Sequence, residues 1–60
     1  MKEEFYLVDN DVYIKVFNKD GLVVAENQFG NPVAPLRALE GRKVDQEAFN
    51  RAVAIASASR

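Results

Sequence analysis

The segment Val12-Tyr13-Ile14-Lys15-Val16-Phe17 carries apolar side chains at odd and even positions alike. A strand that lines a single core alternates apolar with polar, because successive side chains point to opposite faces. Here the even positions hold Val12, Ile14 and Val16, and the odd positions hold Tyr13, Lys15 and Phe17. Leu22-Val23-Val24-Ala25 repeats the habit. A sheet made of such strands is apolar on both sides, whereas one short helix covers only one of them. In a chain of 60 residues the expected second cover is a partner, either another copy of the chain or a different protein.

Length sharpens that expectation. Sixty residues make a single domain, residues 1–60. A domain this small buries only about 60% of its unfolded surface and leans on disulfides, a metal or oligomerisation. The chain has no cysteine and no histidine, which removes disulfides, thiolate sites and the commonest transition-metal ligand. Oligomerisation is the remaining staple, and a homodimer or a complex with another protein is expected.

Charge gives little direction. The net charge of −1 exerts no pull towards nucleic acid or anionic membrane. The halves differ, with residues 1–30 summing to −3 and residues 31–60 to +2. A modest imbalance of this kind is read as a solvated surface. The apolar run Phe5 to Val8 is too short for a signal-peptide core, and no stretch approaches a membrane span. The absence of cysteine suits a cytoplasmic setting.

Along the chain, aromatic and branched residues predict strands over Glu3 to Val8, Val12 to Phe17 and Leu22 to Gln28. Asp9-Asn10-Asp11 reads as a turn. Asn18-Lys19-Asp20-Gly21 is the strongest local signal, since Asp-Gly between branched runs marks a tight hairpin. Gly30-Asn31-Pro32 breaks the pattern, Pro35 opens a helical turn to Glu40, and Gly41 stops it. Asp45 is an N-cap for a helix from Gln46 to Ala56 or Ala58, with Ala48, Phe49, Ala52, Val53 and Ala56 as its apolar stripe. Residues 57–60 are expected to fray. The fold class is α+β: a three-stranded antiparallel β-meander followed by a C-terminal α-helix packed on one face.

Register decides which residues share a face. A two-residue loop in the first hairpin sets Phe5 and Leu7 beside Val12, Ile14, Val16, Val23 and Ala25 as the helix-covered face. A three-residue loop would bring in Tyr6 and Val8 instead. The first option keeps the aliphatic set coherent and is the expectation. The outer face then holds Tyr6, Val8, Tyr13, Lys15, Phe17, Leu22 and Val24, an apolar patch of the kind that marks an interface. The bland alternative is that the Phe29 to Leu39 segment folds back over it.

Other candidates are weaker. Aromatics around Lys15 resemble a platform for single-stranded nucleic acid, but the strands bring six acids that repel phosphates. Arg37, Arg42 and Lys43 could hold an anion or contact nucleic acid, although Asp45 already occupies the helix start and a solvated cluster explains them. Ala48, Ala52 and Ala56 suit close packing on the sheet, or a helix pair across a two-fold axis. Asp9 and Asp11 form the turn and supply too few oxygens for calcium. With no His, Cys or Thr, and serines only at the C-terminal end, no nucleophile-and-base set exists. No enzyme activity, cofactor or metal is expected. The expected role is a small protein-binding module: an adaptor, inhibitor or assembly factor, such as a phage or plasmid accessory protein. The alternatives are a nucleic-acid-associated regulator using the basic half and a structural subunit of a homo-oligomer.

Overall fold

A computed structural model describes residues 2–58. The chain runs through β1 (Glu4–Val8), β2 (Val12–Lys19), β3 (Leu22–Asn27), β4 (Pro32–Val33), a 3₁₀ helix (Pro35–Glu40), β5 (Arg42–Val44) and α1 (Gln46–Ala58). The strands form one antiparallel sheet in the order β4-β3-β2-β1-β5. The class is α+β, with five strands rather than three. Both added strands are short edges. Pro32 has no N–H to offer a ladder and is tolerated only at such a border, and Arg42 and Lys43 give β5 the charge that keeps an edge from pairing with foreign strands.

The second hairpin follows the sequence reading. Lys19 faces Leu22 across a two-residue loop, with Asp20 at φ 55° and Gly21 at φ 84°. Positive φ at both central residues is the type I′ signature, whose twist matches the strands. The Asn18 side chain accepts the Gly21 N–H at 3.1 Å.

The first hairpin corrects it. Val8 faces Val12, so the loop has three residues, Asp9 to Asp11. Asp9 and Asn10 both take positive φ, 55° and 64°, and the Asp11 N–H closes the turn on the Val8 carbonyl at 3.4 Å. Pairing resumes one residue later than a two-residue loop allows. That single step moves all of β1 to the other face. Tyr6 and Val8 join Val12, Ile14, Val16, Val23 and Ala25, while Phe5 and Leu7 join Tyr13, Lys15, Phe17, Leu22 and Val24.

Each face has its own cover. α1 lies on the Phe5 face, where the rings of Phe5 and Phe49 stand 5.3 Å apart. Its start is held by Asp45, whose Oδ1 accepts the Ala48 N–H at 2.9 Å, the bond that satisfies an otherwise orphan helix amide. Helicity extends through Ser57 and Ala58, and of the tail expected to fray, Ser59 and Arg60 lie outside the described residues. The 3₁₀ helix crosses the opposite face and buries Ala38. Beneath it Val8, Ile14 and Ala25 form a fully buried cluster, flanked by Val12, Val16 and Val33.

Gly41 makes the second cover possible. Its backbone is extended (φ −119°), so left-handed freedom is not what requires glycine. A Cβ there would collide with the Leu7 carbonyl and stand 2.8 Å from Val8 Cγ2. The chain passes against β1 with no room for a side chain.

Candidate functional site

With both faces covered, the expected open patch does not exist as one surface. Tyr6 and Val8 lie beneath or beside the 3₁₀ helix, and Val8 is fully buried. The Tyr6 hydroxyl donates to Glu4 Oε1 at 2.8 Å. This bond, helped by the Lys43 ammonium, holds the Glu4 carboxyl below its ordinary value, and the same bond with burial raises the Tyr6 hydroxyl. Tyr13, Lys15, Phe17, Leu22 and Val24 do share a face, but α1 shields part of it, and only Leu22 is largely exposed. Lys15 is not an open lure for a phosphate. Its ammonium lies 5.1 Å from the Phe17 ring centre and 5.9 Å from that of Phe49, and 3.9 Å from Glu3. The two rings are thus already engaged by a cation.

The basic candidates are dispersed. Arg37 pairs with Glu40 at 3.3 Å and with Asp9 at 3.8 Å, tying the 3₁₀ helix to the first turn. Arg42 and Lys43 are neighbours on β5 and therefore point to opposite faces, opposite Leu7 and Tyr6 respectively. Lys43 reaches Glu4 at 3.7 Å. The three cations do not converge on one anion. Among the described residues, no group of three or more carboxylates is placed to hold a metal ion, and no helix is long and apolar enough to cross a membrane.

A cleft lies between α1 and the sheet, about 320 Å³ in volume. Tyr13, Gln28 and Phe29 line one side; Ala48, Arg51, Ala52, Ile55 and Ala56 line the other, with Asp11 at the end. The helix sequence explains why it opens there. The first turn inserts a large ring, Phe49, against Phe5. The positions that follow on the same face are Ala52 and Ala56. A helix propped by Phe49 at one end, with the short side chains of Ala48, Ala52 and Ala56 on its cleft side, leaves a gap over the strands.

Gln28 stabilises the sheet side of this gap. Its Oε1 accepts the Tyr13 N–H at 2.9 Å, and its Nε2 donates to the Asp11 carbonyl at 2.8 Å. The side-chain amide thus acts as one more peptide group in the β2–β3 ladder after β3 has ended at Asn27. The rim is apolar, with Phe29 49% and Ile55 63% exposed. Arg51 stands at the edge, paired with Glu47 at 3.7 Å.

Of the residues singled out from sequence as an interface, Tyr13 alone lines the cleft. Ile55 carried a legible signal, as a large aliphatic residue off the apolar stripe of its helix. Gln28 and Phe29 carried none: the sequence reads Gln28 as the last residue of the third strand, which ends one residue earlier at Asn27, and Phe29 as the residue that leaves the sheet. The size and lining match small recognition pockets in proteins, which are mostly apolar with a few polar groups fixing orientation. Comparison with known proteins gives no match: no protein-family model, no curated protein and no solved structure matches this chain.

Proposed function

We propose that this chain is a small non-enzymatic protein-binding module, an adaptor or assembly factor that receives an apolar side chain of a partner protein in the cleft beside α1. The observation that carries the reading is the cleft itself, with Tyr13 and alanines inside and the exposed Phe29 and Ile55 at its rim. Aromatic and aliphatic residues around a concave site are the usual anchors of protein contacts. The reading moves the contact from the open sheet face to the seam between helix and sheet. It keeps a cytoplasmic setting, which suits a cysteine-free chain.

A photo-crosslinking residue at position 55 tests it, with one at Lys19 on the exposed hairpin tip as control. Position 55 should give discrete protein adducts in native lysate that the control lacks, and Phe29→Ser should abolish them. Identical adducts at both positions, or none at position 55, would refute the reading.

A further inference from the structure

The cleft beside α1 is apolar along its walls but carries a charge at its end. Asp11 directly precedes β2, so its side chain falls on the face of Tyr13, while Val12 between them turns to the cluster under the 3₁₀ helix. The Asp11 backbone is fixed. Its carbonyl accepts from Gln28 Nε2 at 2.8 Å, and its N–H bonds the Val8 carbonyl at 3.4 Å. Its carboxylate, by contrast, has no hydrogen bond or ion pair among the described residues. The cations nearby are committed elsewhere. Arg51 is held by Glu47 at 3.7 Å, one turn earlier on the helix. Lys15, two residues beyond Tyr13, is held by Glu3 and by the rings of Phe17 and Phe49. The lining therefore carries one uncompensated negative charge, in company with the rings of Tyr13 and Phe29. Aromatic rings have a negative face that attracts cations.

We propose that the cleft selects a basic segment of its partner protein, one in which the apolar anchor residue has a lysine or arginine beside it. The inference rests on the reading of the cleft as a protein-binding site and names the chemistry of its occupant. The anchor side chain lies along Ala48, Ala52 and Ala56, and the neighbouring cation meets the Asp11 carboxylate. At about 320 Å³ the cleft sits at the small end of binding pockets, which span roughly 300–1,000 Å³, and suits a single side chain.

A free carboxylate at such a site acts on selectivity more than on affinity. Segments that share the same apolar anchor differ only in what stands next to it, and that difference decides between them. A basic neighbour is attracted by Asp11, a neutral one is indifferent, and an acidic one is repelled. Asp11 is exposed, so each step is modest, about two- to five-fold in affinity, and shrinks as salt screens it. The net charge of the whole chain, −1, is too small to impose that order by itself.

The test is a titration, followed by backbone amide NMR shifts, with three capped tripeptides that share a central leucine: acetyl-Lys-Leu-Lys-amide, acetyl-Gln-Leu-Gln-amide and acetyl-Glu-Leu-Glu-amide. Shifts should centre on Tyr13, Ala52 and Ile55, and affinity should fall in that order. Asp11→Asn should bring the three peptides together, whereas Asp20→Asn, an equal loss of charge at the hairpin tip, should leave the order intact. Asparagine suits both turns as well as aspartate does, and circular dichroism checks that the variants fold. Salt at about 1 M, where screening acts within about 3 Å, should flatten the order without any substitution. Equal affinities at the cleft overturn the charge selection and leave the cleft reading standing. An order that survives Asp11→Asn, or is lost equally with Asp20→Asn, overturns Asp11 as the selecting group. No shift at the cleft with any peptide overturns the basic segment; discrete adducts at position 55 would then keep the cleft reading, and their absence overturns both. Cleft shifts that change on dilution of the protein alone would name a second copy as occupant and overturn the basic partner segment.

Discussion

Replacing Gln28 should damage this fold more than most substitutions outside the cluster around Ile14. Its side chain is almost fully buried and supplies both halves of a missing peptide group, accepting from the Tyr13 N–H and donating to the Asp11 carbonyl. Gln28→Leu keeps the bulk and removes both partners. A buried backbone group left unpaired costs about 1–3 kcal/mol, so two cost roughly 2–6 kcal/mol. Water reaching Asp11, which is exposed at the turn, brings the expected loss to about 2–4 kcal/mol. A domain of this size rarely has more than about 3–5 kcal/mol of stability. A large fraction of the variant should therefore be unfolded at room temperature, as urea titration followed by circular dichroism would show. A loss below about 0.5 kcal/mol, typical of a surface change, would refute the surrogate-peptide role.

Gln28→Glu separates the two bonds. One carboxylate oxygen still accepts from Tyr13, but the other faces the Asp11 carbonyl, where a donor is needed. Repulsion and burial raise the pKa of the new carboxyl in the folded state. A group whose folded pKa lies above its unfolded value holds more protons when folded, so stability falls as pH rises through that range. The gap between this variant and the unmodified protein should be widest near neutrality and shrink on acidification, as the protonated acid regains a donor for Asp11. A gap that does not change with pH would exclude the donor half of the argument.

Three further outcomes follow from local geometry. Gly41→Ala should cost upwards of about 2 kcal/mol by denaturant titration, since its methyl group meets β1 backbone, whereas Gly21→Ala, with open space but positive φ, should cost about 1 kcal/mol. Asp45→Ala removes the cap on the Ala48 amide and should cost about 1 kcal/mol, visible as weakened hydrogen-exchange protection in the first turn of α1. Tyr6→Phe should let the Glu4 carboxyl rise towards its ordinary value of 4.5 in an NMR titration. Because the depressed carboxyl contributes stability above its unfolded pKa and loses it as pH falls through the folded one, the variant should show less acid sensitivity between those values.

The parts of the fold that were legible in the sequence are those written in local chemistry. Asp20-Gly21 marked a tight hairpin, Asp45 marked a helix start, and Pro35 with Gly41 bracketed the 3₁₀ helix to the residue. The register of β1 was not legible, for a physical reason. Phe5, Tyr6, Leu7 and Val8 are all apolar, so neither choice of face exposes a greasy residue, and the pattern that normally forbids a slip is silent. The turn residues Asp9, Asn10 and Asp11 are each suited to either loop length. The decision rests on contacts distant in sequence: Val8 packs with Ile14 and Ala25, and Asp11 is held by Gln28. The cleft was hidden for the same reason, since a gap arises from what Phe49 and the alanines do together against strands more than twenty residues away.

The two-sided apolar sheet demanded a second cover, and the chain supplies it from its own 34–41 segment. Both covers are thin: the 3₁₀ helix is seated on the small Ala38, and α1 on Phe49 in its first turn with Ala52 and Ala56 beyond it. The small Ala38 lets the 3₁₀ helix lie close to the strands, whereas Phe49 props the first turn of α1 off them. The larger aliphatic residues of the same elements, Leu36, Leu39 and Ile55, are left facing out. The apolar excess is displaced from the sheet to the backs of its covers. Exchanging the two sides tests this logic. Ala38→Leu should cost about 1–3 kcal/mol by overpacking the seat of the 3₁₀ helix. Leu36→Ala and Leu39→Ala should each stay within about 0.5 kcal/mol at concentrations where the chain is dilute. If instead the outward leucines prove as costly as Ala38, they are part of the monomer's own core, and the surface left for a partner shrinks to the cleft alone.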